Sequence, residues 1–319
     1  MHFIKYIMIF NANNSFLYYK ENLGIVNDYY QNIVNLIQKI LYNNPELHIN
    51  IILCPNYNYN FNNTNKTILI NINYEHTLVK IDGRGVSCDT PVGNISYEYN
   101  KKYYVRICDY HILNMSDLII DYSNPNICNV KTCPQYHSFS KKHIYISSSI
   151  YQPFFSKENR DVTTLSTFIN INEPRRKLLL ENINNENIKH QNINNCFGEN
   201  EMEFLLKNTK IIINIHQTPH HDTFEELRVL PALECGVIVI AEKSPLFETI
   251  PYHDLIIWTS YDDIIEKIKE VIINYDFYHN EIFSIENIDR LIALKKINYD
   301  VLQNAISDIG SSNTPNIEL

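Results

Sequence analysis

Two apolar runs that stand close together constrain the fold more than any other feature of this sequence. Residues 210–215 read KIIINI and residues 237–241 read VIVIA, and such β-branched runs suit strands of a parallel sheet that is covered on both faces. The segment between them has the length of a helix, and Gly236 stands where a helix-ending glycine is expected. A strand, a helix and a second parallel strand predict an α/β fold.

The start of this helix is predicted from a capping box. Thr223 and Glu226 have the Thr-x-x-Glu spacing in which each side chain bonds a backbone N–H group of the first turn. We therefore expect the helix to begin at Asp222 or Thr223. Glu225 and Arg228 would then lie three residues apart on one face of the helix.

The alternation of strands and helices occurs twice along the chain, which predicts two Rossmann-like domains. The periodicity breaks at residues 148–156, where Pro153 interrupts it, so we expect a first domain at 1–150 and a second at 151–319. The helical tail of the second domain is expected to pack back on the first. Strands are predicted at 3–10, 48–53, 67–72, 76–81, 103–107, 117–121, 143–147, 161–169, 188–193 and 255–258, and helices at 21–42, 201–207, 261–275 and 285–309, with another beginning near Pro174.

Charge and composition exclude several classes of protein. The net charge of -9 argues against generic nucleic-acid binding, which needs a basic surface. No run approaches the length of a membrane span, and the apolar run at the N-terminus is too short for a signal peptide. The excess of Asn, Ile, Tyr and Lys resembles the codon bias of an AT-rich genome, such as that of a large DNA virus or a protist. A cytoplasmic protein, in the host cytoplasm if viral, is expected.

Cysteine and histidine spacing gives no sign of a metal site. The 7 cysteines are scattered and without a Cys-x-x-Cys pair, as reduced thiols of a cytosolic protein would be. His216, His220 and His221 follow one strand, but they lack a helical i,i+4 pair or nearby thiols. We therefore expect no bound metal.

Several motifs of the second half occur in an order and spacing that resemble a known family. They are TLSTFININEPRR at 164–176, KIIINIH at 210–216, FEELR at 224–228, ALECG at 232–236 and AEKS at 241–244. In this order they resemble the nucleotide-sugar domain of two-Rossmann (GT-B) glycosyltransferases, in the group-1-like branch related to spore-maturation glycosyltransferases. The resemblance covers about residues 161–275, and it extends to the first half only as a fold pattern. It implies parallel sheets that face each other across a cleft.

The resemblance implies a donor site at the carboxyl ends of the strands of the second half. Either Arg175 or Arg176 matches the family's basic contact to the diphosphate, and the planar guanidinium suits phosphate. Glu225 would accept hydrogen bonds from ribose or sugar hydroxyls, and His216 would touch the donor or act as an acid/base, so these two are the catalytic candidates. The remaining donor-binding candidates are Asn214, Arg228, Glu242 and Ser244.

The stereochemical outcome stays open at the level of sequence. Glu226 and Glu234 have the Glu-x7-Glu spacing of many retaining glycosyltransferases, and the family branch suggests retention. In those enzymes, however, the second glutamate lies five residues before the helix-ending glycine, whereas Glu234 lies only two residues before Gly236. The spacing is therefore interpreted as accidental.

The first half is expected to hold the acceptor site, although its residues carry weaker signals. The candidates are Asn13 after the first strand, Glu75 and His76 as an acid/base pair, and Arg84 in a Gly-Arg-Gly turn. Gly83 and Gly85 alone do not make a dinucleotide fingerprint, which needs a third glycine between strand and helix. An NAD enzyme is therefore not expected.

The sequence thus predicts a hexosyltransferase-like enzyme that needs no cofactor and no metal. Its donor would be a nucleotide diphosphate sugar, its acceptor a glycan, a protein or a small molecule, and its domains would close to exclude water. Two alternatives stay open: a non-catalytic nucleotide- or glycan-binding protein of the same fold, and a sugar-nucleotide epimerase with two Rossmann domains. The sequence does not determine the oligomeric state.

Overall fold

The computed structural model describes residues 8–21, 23–55, 65–74, 78–80, 92–97, 101–107, 110–195, 201–217 and 224–311. In this part of the chain, two sheets with mainly parallel pairing stand beside one small antiparallel sheet. This arrangement confirms the predicted α/β fold class with two parallel-dominated sheets. None of the described helices is both long and apolar enough to cross a membrane.

The first sheet has the strand order β1-β2-β3-β4-β8-β9, and every neighbouring pair except β1 and β2 is parallel. The amphipathic α1 packs Tyr30, Ile33 and Ile37 into the core beside it, where each is fully buried. The elements of the first half are β1 (Met8–Ala12), β2 (Ser15–Tyr19), α1 (Asn27–Asn43), β3 (Ile49–Leu53), β4 (Lys66–Asn73), β5 (Leu78–Lys80), β6 (Val92–Tyr97), β7 (Lys101–Arg106), α2 (Tyr110–Met115), β8 (Leu118–Asp121), α3 (Asn124–Thr132), α4 (His137–Ser140) and β9 (His143–Tyr145).

The second sheet has the order β11-β10-β12-β13-β14, and all its pairs are parallel. The apolar runs that predicted its centre form β12 and β13, which are almost completely buried. The elements of the second half are β10 (Val162–Ser166), α5 (Pro174–Asn185), β11 (His190–Asn192), α6 (Glu201–Lys207), β12 (Thr209–Asn214), α7 (Glu226–Glu234), β13 (Ile238–Glu242), β14 (Ile257–Thr259), α8 (Ile264–Ile273), α9 (Tyr275–Ile282) and α10 (Ile285–Ser311).

The start of the first sheet differs from the sequence prediction. In the described residues β1 is an antiparallel edge strand, and it joins β2 through a two-residue turn at Asn13 and Asn14. Both residues have a positive φ, 48° and 65°, which asparagine tolerates and a tight hairpin requires. The chain therefore turns back at once into β2, a strand that the sequence did not predict.

A small sheet interrupts the first half between β4 and β8. The strands β5, β7 and β6 pair antiparallel in that order. The sequence predicted strands at 76–81 and 103–107 but did not predict β6. A short strand carries no signal of the direction of its partner, so the separate antiparallel sheet was not foreseen.

The predicted capping box at the start of α7 is wrong. The helix begins at Glu226, with Glu225 as its N-cap residue and no side-chain cap, while Thr223 lies outside the described residues. The Glu226 carboxylate is fully buried and accepts hydrogen bonds from the hydroxyls of Tyr252, at 2.9 Å, and Tyr145, at 3.4 Å. The Glu226 carboxylate, which the Thr-x-x-Glu pattern predicted to cap the helix, is therefore bonded by tyrosines from other elements instead.

One side chain of α7 bonds three consecutive residues of the connection between the halves. Glu234 is 1% exposed, and its Oε2 accepts the backbone N–H groups of Ile150, at 2.8 Å, and Tyr151, at 2.9 Å. The hydroxyl of Ser149 donates to its Oε1. These bonds satisfy backbone donors of an extended segment that has no sheet partner there.

The long helix α10 packs against both halves. Leu291 and Leu294 belong to the core of the second half, whereas Leu302 and Ile306 belong to the core of the first. Between them, Asn298 exchanges hydrogen bonds with the backbone of Ser147, at 2.9 Å in each direction. The predicted boundary at residue 150 stays a prediction, and α10 belongs to both sides of it.

The close packing of the backbone around Gly236 can be tested by substitution. Its φ is +67°, and a Cβ there would lie 2.8 Å from the carbonyl oxygen of Phe154 and 2.9 Å from the Cα of Phe155. A left-handed alanine costs about 1–2 kcal/mol, and overpacking adds about 1–3 kcal/mol. We expect Gly236→Ala to lower the free energy of unfolding in urea by about 2–5 kcal/mol.

The matched control is Gly24→Ala. Gly24 has a similar φ of +69°, but a Cβ there would meet nothing within 4 Å. This variant should lose only the backbone contribution of about 1–2 kcal/mol. Equal losses in the two variants would contradict the close approach at Gly236.

Candidate functional site

A cleft lies between the two halves and has a volume of about 470 Å³. We refer to it as the interdomain cleft. The first half contributes Asp28, Tyr29, Tyr74 and Tyr122, and Tyr151 comes from the connection. The second half contributes Thr167, Ile169, Gln217, Glu225, Leu227 and Arg228, among others.

The second-half side of the cleft forms at the carboxyl ends of parallel strands. β12 ends at Asn214, β13 ends at Glu242, and α7 starts at Glu226 directly beside them. α5 likewise starts at the carboxyl side of β10. Open α/β sheets bind ligands at this edge, because the loops and helix N-termini converge there.

Two arginines, the buried Arg176 and the half-buried Arg228, lie close to each other at this edge. Arg176 is 3% exposed, and its guanidinium lies over the ring of Phe168 at 4.7 Å. Burial and, to a smaller extent, the positive charge of Arg228 lower the pKa of Arg176 to about 10, against the opposite effect of Glu225 and Glu173. Two guanidinium groups in one poorly solvated place favour binding of an anion.

Part of the hydrogen-bonding capacity of these arginines is unused within the described residues. Nε of Arg176 and Nη1 of Arg228 are both buried, and neither has a hydrogen-bond partner there. Buried donors of this kind carry a desolvation cost of about 1–3 kcal/mol unless a ligand or water accepts from them. Asn214 Oδ1 and Ser244 Oγ are also buried, and neither has a hydrogen-bond partner among the described residues.

Arg175 differs from its neighbour because it already has a partner. Its Nη2 lies 2.5 Å from Glu242 Oε1, and its guanidinium stacks over the ring of Tyr261 at 4.2 Å. The other carboxylate oxygen of Glu242 accepts the backbone N–H of His216 at 3.1 Å. Glu242 therefore ties the start of α5 to the segment after β12.

His216 lies deeper than the prediction of a catalytic role suggests. Its side chain is 3% exposed, and Nδ1 lies 3.5 Å from Glu242 Oε2. The residue is not one of the described residues that line the cleft, whereas Glu225 is. Glu225 therefore faces the open volume, whereas His216, like Arg176, is buried and is not among the described residues that line it.

Of the predicted acceptor-side residues, Asn13 is the one within the described ranges, and it does not line the cleft. Asn13 lies in the turn before β2, at the amino edge of the parallel strands, whereas the cleft opens at their carboxyl side. Glu75, His76 and Arg84 lie outside the described residues, as do His220 and His221.

The structure adds a carboxylate that the sequence did not single out. Asp28 stands in the first turn of α1 and lines the cleft from the first half. The hydroxyl of Tyr151 donates to its Oδ2 at 2.7 Å. An acidic residue in the first turn of an amphipathic helix is common on solvated surfaces, so the sequence held no signal that separates Asp28 from an ordinary helix start.

The Glu-x7-Glu pair lies in the contact between the halves and has structural partners. Glu226 bonds Tyr145 of the first half, and Glu234 holds the connection. Burial raises the pKa of both carboxyls, that of Glu226 to about 8. Both carboxyls thus have structural partners, and the interpretation of the spacing as accidental stays a prediction.

Sequence comparison finds relatives but no family. No family model matches the sequence. One similar protein is an uncharacterized protein of Acanthamoeba polyphaga mimivirus, 30% identical over 170 residues that cover 52% of this chain and 56% of the relative. A second uncharacterized mimivirus protein is 25% identical over 198 residues, or 60% of each chain. The chain thus spans less than two thirds of either relative, and both are viral, consistent with the predicted source.

Structure comparison finds distant resemblances. The crystal structure of TarM is matched with a TM-score of 0.48 and 11% identity, over 87% of this chain and 58% of that chain. HepE of Anabaena, in complex with UDP-glucose, is matched with a TM-score of 0.42 and 10% identity, over 90% of this chain and 78% of that chain. Structural similarity with TM-scores this low does not assign the activity or the residue roles of those proteins to this chain.

The burial of Glu226 makes stability depend on pH. Its pKa rises from 4.5 to about 8 on folding, chiefly because burial disfavours the charge. Between these values the folded state binds more protons than the unfolded state, so stability falls as pH rises through the window. At about 1.4 kcal/mol for each pKa unit, the change amounts to a few kcal/mol. We expect Glu226→Gln to flatten the dependence of the urea-unfolding free energy on pH between about 5 and 8.

The slope should not vanish in Glu226→Gln, because the raised pKa of Glu234 acts in the same direction. Glu248→Gln removes an exposed carboxylate and serves as the control, which should keep the wild-type slope. An unchanged slope in Glu226→Gln would contradict the buried, protonated state of Glu226.

Proposed function

We propose that the protein is a glycosyltransferase that moves a sugar from a nucleotide diphosphate sugar, bound by the second half, to an acceptor that enters from the first half. The order of motifs in the second half, which resembles the donor domain of GT-B glycosyltransferases, suggests this reaction. The geometry of the cleft supports it, because the motif residues Glu225 and Arg228 line the cleft.

The single observation that carries the proposal is the pair of arginines at this edge, the buried Arg176 and the half-buried Arg228. Transfer of a sugar breaks its bond to a diphosphate, which leaves with additional negative charge. Positive groups fixed in a desolvated site stabilise that charge without reorganising during the reaction. Nε of Arg176 and Nη1 of Arg228 are buried donors without a partner within the described residues, and a diphosphate supplies acceptors for both.

The other site residues take roles around this pair. Glu225, at the N-cap of α7, accepts hydrogen bonds from hydroxyls of the ribose or of the donor sugar. The N-terminus of α7 adds the positive end of a helix dipole beside the diphosphate. Arg175, Glu242 and His216 form the bonded framework that holds α5 against β13. Asn214 and Ser244 contribute buried polar atoms at the same edge.

Metal independence is part of the proposal, because the two arginines can supply the charge that a divalent cation supplies in other transferases. The acceptor is a glycan, a protein or a small molecule with a free hydroxyl group. No bound cofactor is required, since the sugar nucleotide is itself the substrate.

The test is thermal unfolding of the protein with a panel of sugar nucleotides: UDP-glucose, UDP-N-acetylglucosamine, GDP-mannose, dTDP-glucose and a CMP-sugar, with NAD as the control. A ligand at about 100 times its dissociation constant stabilises by about 2.7 kcal/mol. For domains of this size the midpoint then rises by about 5–10 °C. We expect one diphosphate sugar to give such a shift and to be turned over, with the nucleoside diphosphate as product.

The variant Arg228→Gln tests the proposed contact between Arg228 and the diphosphate of the donor. A charge-assisted hydrogen bond contributes about 1.5–3 kcal/mol, so the dissociation constant of the active donor should rise about tenfold to hundredfold. Lys177→Gln is the matched control, because it removes an exposed positive charge one residue beyond Arg176. Binding without turnover of any donor would favour a non-catalytic protein, and equal effects of the two variants would contradict the role of Arg228.

A further inference from the structure

A side-chain amide at the end of β11 bonds the backbone just beyond the end of β10. The two strands pair in parallel as far as Ser166 and Asn192, and the N–H of Ile193 still donates to the carbonyl of Ser166 at 2.9 Å. Beyond this pair, Oδ1 of Asn192 accepts the N–H of Phe168 at 3.0 Å, and Nδ2 of Asn192 donates to the carbonyl of Phe168 at 3.1 Å. The side chain therefore extends the ladder by one further amide group.

The chemistry of the carboxamide explains why an asparagine stands at this position. The backbone of Phe168 offers one donor and one acceptor, and a carboxamide has an acceptor and a donor side by side. A carboxylate accepts but does not donate, so Asn192 and an aspartate are not equivalent here. In a chain with an excess of asparagine, the sequence carries no signal that separates Asn192 from an ordinary polar residue.

The amide is held in turn by side chains of both strands. Ser166 Oγ donates to Asn192 Oδ1 at 2.7 Å, and His190 Nε2 lies 3.0 Å from Ser166 Oγ. Burial lowers the pKa of His190 to about 4, so at neutral pH the ring is neutral and donates from one nitrogen. Because the proton of Ser166 goes to Asn192, that nitrogen is Nε2. Its Nδ1 then accepts from the hydroxyl of Thr164, 2.9 Å away.

The segment that Asn192 bonds belongs to the second-half wall of the interdomain cleft. Thr167 and Ile169, on either side of Phe168 in the sequence, line the cleft. Phe168 itself is 1% exposed, and the guanidinium of Arg176 lies over its ring at 4.7 Å. A cation over an aromatic face is attracted by the ring quadrupole, most strongly where water is excluded. The place of the ring therefore determines where the buried guanidinium lies.

We propose that Asn192 is a positioning residue for the donor diphosphate, because it fixes Phe168, whose ring holds the guanidinium of Arg176 in place. The inference rests on the proposed glycosyltransferase function and extends its donor site to β11. Nε of Arg176 has no hydrogen-bond partner within the described residues, so the ring supplies the contact that a hydrogen bond does not supply there. Asn192 is not among the described residues that line the cleft, so it acts through the arginine.

The experiment is a double-mutant cycle on donor affinity. The full chain and its variants are titrated by calorimetry with the sugar nucleotide that gives the largest thermal shift in the panel, at a temperature where each is folded. Asn192→Ala should raise the donor Kd about threefold to thirtyfold, as the loss of a cation–π contact does. In the Arg176→Gln background the same change should alter Kd by less than about twofold, because no guanidinium is left to position.

A second variant makes the test independent of the backbone bonds. Asn192→Ala removes those bonds and lowers stability, whereas Phe168→Leu keeps the backbone that Asn192 holds and removes the aromatic face. Phe168→Leu should raise the donor Kd by a similar factor, again without further effect in Arg176→Gln. Asn194→Ala is the matched control, because it removes an exposed asparagine two positions further along and should leave Kd unchanged.

The outcomes separate the positioning role from the function on which it rests. Losses of affinity that are the same with Arg176 and with Gln at position 176 would show that Asn192 and Phe168 act on the fold alone, and they overturn the proposal. A donor Kd that is unchanged in Phe168→Leu overturns it as well. Both results leave the proposed function standing. A wild-type protein that binds no sugar nucleotide of the panel overturns the proposed function and the positioning role together.

Discussion

One buried carboxylate fixes the connection between the two halves of this protein to the second half. Glu234 accepts hydrogen bonds from the hydroxyl of Ser149 and from two successive backbone N–H groups, those of Ile150 and Tyr151. An extended connection between two sheets has no strand to pair with, and unpaired buried backbone donors are strongly unfavourable. The side chain of Tyr151 then reaches Asp28, so the bond from Glu234 also positions the first-half wall of the cleft.

The sequence predicted the second half well because its signals are local. The apolar runs of β12 and β13, the helix α6 and the glycine after α7 are each recognised within a few residues. The first half was predicted less well, since its surprises concern the direction in which short strands pair. The same side-chain alternation can pair parallel or antiparallel, so neither the hairpin of β1 and β2 nor the sheet of β5, β6 and β7 was foreseen.

In the candidate site, too, some residues were recognised from local motifs and others only from their tertiary contacts. Arg176, Glu225 and Arg228 belong to motifs, and the fold brings them to one edge of a sheet. Asp28 became visible only because a tyrosine 123 positions further along the chain bonds it. Glu226 shows the opposite error: its spacing fits both a capping box and a carboxylate pair, yet tertiary packing buries it among tyrosines. Local patterns state what a residue can do, and the tertiary environment selects one of those uses.

The helix α10 has a mechanical consequence. It is a continuous helix of 27 residues, about 40 Å long at 1.5 Å per residue, whose two ends lie in different cores. A rotation that opened the cleft widely would have to bend this rod or pull the Leu291 end or the Leu302 end out of its packing. The helix therefore acts as a splint against wide opening, and the expected closure of the domains around a ligand would have to be accommodated by bending or shifting this one helix.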